Sequence, residues 1–324
     1  MLEPAVIDWL LDAETSDPAI RWQVLRDLLD RPESVWAAER ARVATEGWGA
    51  RLLANEDDDG QWAGGAYVPA DYDWDGPEVG QPWTATSHTL TQLREFGFDP
   101  STPRARRVVE LIGQNARWEH AGQPYWDGEV EPCVNGQAIA NGCYFGLDMA
   151  PVVERLANAR LADGGWNCEA ERGSVRSSFD TTINVLEGLL EYERATGGSP
   201  ASRAARRSGE EYLLARSLYR RLSTGEPVDE SYLQLAYPTR WHYDVLRALD
   251  YFRAAGLMSG SRPDPRLAEA VGHVRSRRLD DGRWPLDMTW AGRTWFELGE
   301  DPGLPSRWVT LRALRVQRWW RGSR

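Results

Sequence analysis

Asp280-Asp281-Gly282-Arg283-Trp284 closes a stretch in which Leu267, Ala270, Val271 and Val274 recur at helical spacing. The glycine can adopt the positive φ that ends a helix, and the tryptophan behind it can fold back over the turn. The same shape recurs at Asp58-Asp59-Gly60-Gln61-Trp62 and Ala162-Asp163-Gly164-Gly165-Trp166, with a looser copy at Tyr125-Trp126-Asp127-Gly128. The helix before each turn carries one apolar stripe, as where Arg275, Arg277 and Arg278 occupy the remaining surface, which predicts outer helices. A second helix type follows each turn, richer in apolar and small residues and often opened by proline or serine. These read as inner helices, buried on more than one side.

The inner segments resemble one another. Pro18-Ala19-Ile20-Arg21-Trp22-Gln23-Val24-Leu25-Arg26 matches Pro305-Ser306-Arg307-Trp308-Val309-Thr310-Leu311-Arg312, and Pro238-Thr239-Arg240-Trp241 opens a third copy. Repetition on this scale predicts an array of helical hairpins. Starts near Pro18, Pro82, Cys133, Ser177, Pro238 and Pro305 give six inner helices. Six hairpins can close into a ring, with the similar first and last inner helices meeting at a seam. No linker rich in Gly, Ser or Pro divides the chain. The expectation is an all-α fold, an (α/α)6 toroid forming a single domain over residues 1–324.

Composition narrows the partners. A net charge of −11 over 324 residues, with pI near 5.0, opposes binding to a phosphate backbone, so no nucleic acid partner is expected. No stretch approaches a membrane span, and Met1-Leu2-Glu3-Pro4 lacks a secretion signal, so no integral membrane insertion and a cytoplasmic location are expected. The three cysteines, Cys133, Cys143 and Cys168, are odd in number and lack CxxC spacing. They read as reduced thiols outside any disulfide framework or four-thiolate zinc site. Tryptophan is the outlier, 17 residues against 6 phenylalanines, and its polarizable face suits a cavity for an apolar or cationic group.

The acidic-Gly-x-Trp turns resemble the QW-type repeats of squalene and oxidosqualene cyclases: Gln61-Trp62 keeps both residues, while Gly165-Trp166 and Arg283-Trp284 keep the tryptophan. That resemblance implies a terpenoid cyclase/prenyltransferase-like toroid with its cavity at the axis; protein prenyltransferase β subunits are also single toroids. It implies acid and carbocation chemistry on an apolar, isoprenoid-type small molecule. In the segment matching the DxDD motif, Ser177-Ser178-Phe179-Asp180-Thr181-Thr182, Phe179 stands where the proton donor belongs, leaving Asp180 as the candidate acid. Ser177 and Asp180 also fit a capping box. Asn141-Gly142-Cys143-Tyr144 resembles the zinc-binding segment of prenyltransferases, with Asn for Asp, and Asp180 falls where their histidine would. Cys143 and Asp180 are then the remaining metal candidates. No cofactor is expected, with zinc or magnesium as the alternative.

Other candidates come from residue type and position. Asp71-Tyr72-Asp73-Trp74-Asp75-Gly76 opens like a calcium loop but has Pro82 at the twelfth position, so Asp73 and Asp75 are assigned to ligand binding at a cavity mouth. Trp83 and His88 follow at an inner-helix start. Arg240-Trp241-His242-Tyr243-Asp244 gathers five functional groups at another, giving His242, Tyr243 and Asp244 as catalytic candidates beside Asp180. Trp22, Trp241 and Trp308 complete the expected aromatic wall. Two other functions fit these residues: a non-catalytic toroid binding a small molecule or partner, and a carbohydrate-active (α/α)6 enzyme using tryptophan platforms and paired carboxylates.

Overall fold

The computed structural model describes residues 2–322. Among them the regular structure is helical, with isolated β-bridges and no strand, as the hydrophobic periodicity predicts. In chain order the α-helices are α1 (Pro4–Leu11), α2 (Pro18–Asp27), α3 (Glu33–Ala41), α4 (Gly47–Leu53), α5 (Thr86–Phe96), α6 (Pro103–Asn115) and α7 (Pro132–Tyr144). They continue as α8 (Ala150–Asn158), α9 (Phe179–Thr196), α10 (Pro200–Leu214), α11 (Val245–Ser259), α12 (Ala268–Ser276) and α13 (Arg307–Gly322). No described helix is long and apolar enough to cross a membrane.

The chain forms two compact units. One comprises Met1–Ala50, Leu213–Trp290 and Glu297–Arg324; the other comprises Arg51–Tyr212 and Ala291–Phe296. In the first, α13 packs against both α2 and α11, so the similar segments that open α2 and α13 belong to neighbouring helices. Arg315 of α13 bridges to Asp27 and Gln23 of α2, and Arg318 donates to the Asp27 carbonyl at 2.8 Å. Burial pushes Asp27 up, but the guanidiniums of Arg315 and Arg26 prevail and hold it well below the usual carboxylate range.

In the second unit α7 lies between α5 and α9. Its residues from Pro132 to Cys143 are all buried. The α7–α9 approach depends on glycine: a Cβ on Gly136 would overlap the Asn184 carbonyl, and one on Gly188 the Gly136 carbonyl. By contrast α12 is amphipathic, burying Ala270, Val271 and Val274 and exposing Arg275, with Arg277 and Arg278 exposed just past its end.

The repeated turns join the two helix types. Gly60, Gly164 and Gly282 have φ of 85°, 103° and 87°, in the left-handed region that suits glycine. The tryptophans behind them, Trp62, Trp166 and Trp284, are fully buried. Each backbone N–H donates to a threonine hydroxyl in the first turn of a following helix: Thr86 of α5 at 3.1 Å, Thr182 of α9 at 3.2 Å and Thr310 of α13 at 2.9 Å.

Two starts differ from expectation. The helix expected near Pro82 begins at Thr86, and the one expected near Pro238 begins at Val245. Arg240 has φ 55° and Asp244 is extended at φ −146°, so neither continues a right-handed helix, and Arg240 to Asp244 form the approach to α11.

Candidate functional site

At the entrance to α11, Asp244 is the N-cap, its Oδ1 accepting the Arg247 N–H at 2.8 Å. Burial raises its carboxyl pKa against the pull of Arg312 and Arg247. The Arg247 guanidinium turns back to the His242 carbonyl at 2.7 Å and the Arg240 carbonyl at 3.3 Å. Tyr243 is buried, its hydroxyl donating 2.6 Å to the Leu218 carbonyl. Two of the sequence-predicted catalytic groups therefore also hold the local backbone.

His242 is placed differently. Its ring stacks on Trp241, centroids 3.6 Å apart at 27°, and on Trp290, 3.4 Å apart at 11°. Burial and the Arg247 charge depress its pKa from 6.5 to about 3, so the imidazole is neutral at physiological pH. Trp290 presents a buried indole N–H with no hydrogen-bond acceptor among the described residues. In the same unit Trp308 stacks on Tyr237 at 4.5 Å and on Trp48 at 6.2 Å. Trp22 packs against Trp36 at 6.1 Å, with the guanidiniums of Arg26 and Arg40 at 4.4 and 5.4 Å from its ring centroid.

The second unit gathers a cluster at the entrance to α5. His88 is buried, 3.1 Å from Gln81 Nε2 through its own Nε2, with the Trp83 ring edge-on at 5.0 Å and the Tyr67 ring at 4.7 Å. Trp83 donates its indole N–H to the Ala291 carbonyl at 2.9 Å, and its backbone N–H bonds to the Arg293 carbonyl at 2.8 Å. Burial, then the nearby Cys133, pushes the Tyr67 phenol well above its usual range. Asp73 and Asp75 lie on an exposed turn, Asp73 Oδ1 accepting the Asp75 N–H at 3.0 Å. Asp71 forms a two-pronged pair with Arg293 at 2.8 and 2.9 Å.

At α9 the cap lies one residue beyond the predicted one. Ser178 Oγ accepts the Thr181 N–H at 3.0 Å, whereas Ser177 Oγ bonds to Asp163 and to the Gly165 N–H. The capping box expected from Ser177 and Asp180 is thus replaced, because Ser177 is spent on the preceding turn. Asp180 is half-buried in the first turn of α9.

Cys143 is core, packed with Ile139, Met149 and Val152, and burial pushes its thiol up to about 12. The one group of three His, Cys, Asp or Glu side chains gathered closely enough to share an ion, among the described residues, is Glu131, Cys133 and Cys168. Cys133 and Cys168 have Sγ atoms 2.6 Å apart. The Thr181 hydroxyl donates to Cys168 Sγ at 3.4 Å, and Glu131 Oε2 is 3.7 Å from Cys133 Sγ. The bond to Cys168, then burial, raises the Cys133 thiol well above its usual value. Sequence reasoning missed this pair because the residues are 35 apart. A signal was present: Cys133 opens one inner helix and Cys168 follows the turn leading to the next.

No family model matches the chain, and no curated protein matches it. Among solved structures it is similar to a protein from Actinoplanes, with 17% identity over 94% of this chain and 90% of that one, at a TM-score of 0.45.

Proposed function

We propose that this chain is an αα-toroid of the terpenoid cyclase and protein prenyltransferase kind that takes up an apolar, isoprenoid-type small molecule. Supporting the toroid are the three repeated turns, the two sets of successively packed helices (α2 on α13 on α11, and α5 on α7 on α9) and the α2–α13 contact.

The observation that carries the ligand class is the stack of Trp241, His242 and Trp290. With its imidazole held neutral, the stack offers polarizable faces to a hydrocarbon and, being uncharged, does not repel a delocalised carbocation. The Trp290 indole N–H supplies one donor for a single polar group on an otherwise apolar ligand. Titration with farnesol and with squalene, followed by tryptophan fluorescence and calorimetry, tests this. Saturable binding is expected, weakened about tenfold or more in Trp290→Ala and unchanged in Trp74→Ala at an exposed site. Absence of binding for both compounds overturns the reading.

Asp180, at the start of α9, is the candidate acid that the resemblance implies. Because Ser178 caps α9, the Asp180 carboxylate is not required for that task.

A further inference from the structure

Cys133 lies at the second position of α7, and Cys168 opens a short 3-10 turn between Trp166 and α9. Their Sγ atoms, 2.6 Å apart, are closer than two unbonded sulfurs rest. Thiolates sharing a tetrahedral zinc, with Zn–S near 2.3 Å, would stand about 3.8 Å apart. A sulfur–sulfur bond of about 2.05 Å requires the smaller movement from the observed position. The surroundings make the pair asymmetric. Cys168 is half-buried, the more accessible of the two, and receives the Thr181 hydroxyl at its Sγ, while Cys133 is buried beside the Glu131 carboxylate.

We propose that Cys133 and Cys168 are a reversible dithiol–disulfide pair, oxidised by a small-molecule disulfide, that fastens the start of α7 to the chain leading into α9. The Cys168 thiolate attacks one sulfur of the external disulfide RSSR and expels RS⁻, giving a mixed disulfide. The Cys133 thiolate then attacks Cys168 Sγ and expels the second RS⁻. Two protein thiols become one protein disulfide, and their two electrons and two protons convert RSSR to two RSH. Glu131 slows the second attack by disfavouring the Cys133 thiolate, so the mixed disulfide accumulates transiently. Cys143, deep in the core, takes no part.

The test uses the full chain, reduced, desalted and exposed to graded ratios of oxidised to reduced glutathione. Free thiols should fall from three to one. The intact mass should fall by about 2 Da, digestion should yield a Cys133–Cys168 linked peptide, and the melting temperature should rise by several degrees until dithiothreitol reverses it. In Cys133→Ser, glutathione should remain attached at Cys168; the wild-type readouts stand if that variant does not fold. Three free thiols under fully oxidised glutathione would overturn the proposal, as would a linkage through Cys143. So would one equivalent of zinc retained through dialysis with both thiols protected from oxidation, because the cluster would then be a metal site.

Discussion

The indole N–H of Trp284 donates 2.6 Å to the carbonyl of Val274, ten residues upstream in the last turn of α12. Trp62 reaches Leu52 of α4 at 2.8 Å and Trp166 reaches Leu156 of α8 at 2.7 Å, each at the same separation of ten. A helix end leaves its last carbonyls without intrahelical partners. Each of these tryptophans satisfies one, while its backbone N–H is tied to a threonine on a later helix. The turn is therefore a clamp between the end of one helix and the start of another.

Trp284→Phe keeps the aromatic bulk but strands the Val274 carbonyl, so urea unfolding should show a loss of about 1–3 kcal/mol. The exposed Trp74, replaced the same way, should change stability by less than about 0.5 kcal/mol. Equal effects at the two sites would reject the clamp.

Gly282 carries φ 87°, and a side chain there would also press on Glu3, Arg278 and Val6. Gly282→Val should cost roughly 1 kcal/mol or more, from a strained backbone and crowding together. A thermal midpoint equal to wild type would count against the turn.

These turns were legible because glycine and tryptophan have few substitutes in them: one supplies positive φ and the other a long-reaching donor. The helical class followed from stripes such as Ala270, Val271 and Val274. Helix starts were less legible where side chains hydrogen-bond the backbone. Asp244 captures the Arg247 N–H and delays α11 to Val245, and Ser178 displaces Ser177 as the cap of α9. The candidate site was half legible. Trp241 and His242 stood out as neighbours in sequence, but Trp290 joins them from 48 residues beyond His242, as Cys168 joins Cys133 from 35. Contacts between distant residues leave no period to read.

The depressed pKa of His242 makes stability pH-dependent. Unfolded, its imidazole titrates near 6.5; folded, near 3. Between those values the unfolded state binds the extra proton, so this contribution is fully present above pH 6.5 and is lost as pH falls toward 3, at up to about 1.4 kcal/mol per pH unit. His242→Phe keeps a flat ring in the stack but cannot protonate. Its urea midpoint should fall less steeply than wild type's from pH 7 to 4.5, and parallel slopes would show that the stacked imidazole does not titrate as described.

Asp180 and Ser178 separate capping from chemistry at the start of α9. Ser178 Oγ accepts the Thr181 N–H, so Ser178→Ala should cost about 1 kcal/mol of stability and leave ligand affinity intact. Asp180, half-buried in the same first turn, is not that acceptor. Asp180→Asn keeps the side chain's shape and removes its acidity. Melting should therefore stay within a few degrees of wild type, farnesol and squalene should bind as before, and any conversion of squalene detected by gas chromatography should disappear. A large stability loss in Asp180→Asn would return the residue to a structural role. Conversion that survives in Asp180→Asn would place the acid elsewhere. Wild-type protein that binds squalene yet leaves it unchanged would leave a binding toroid without acid chemistry.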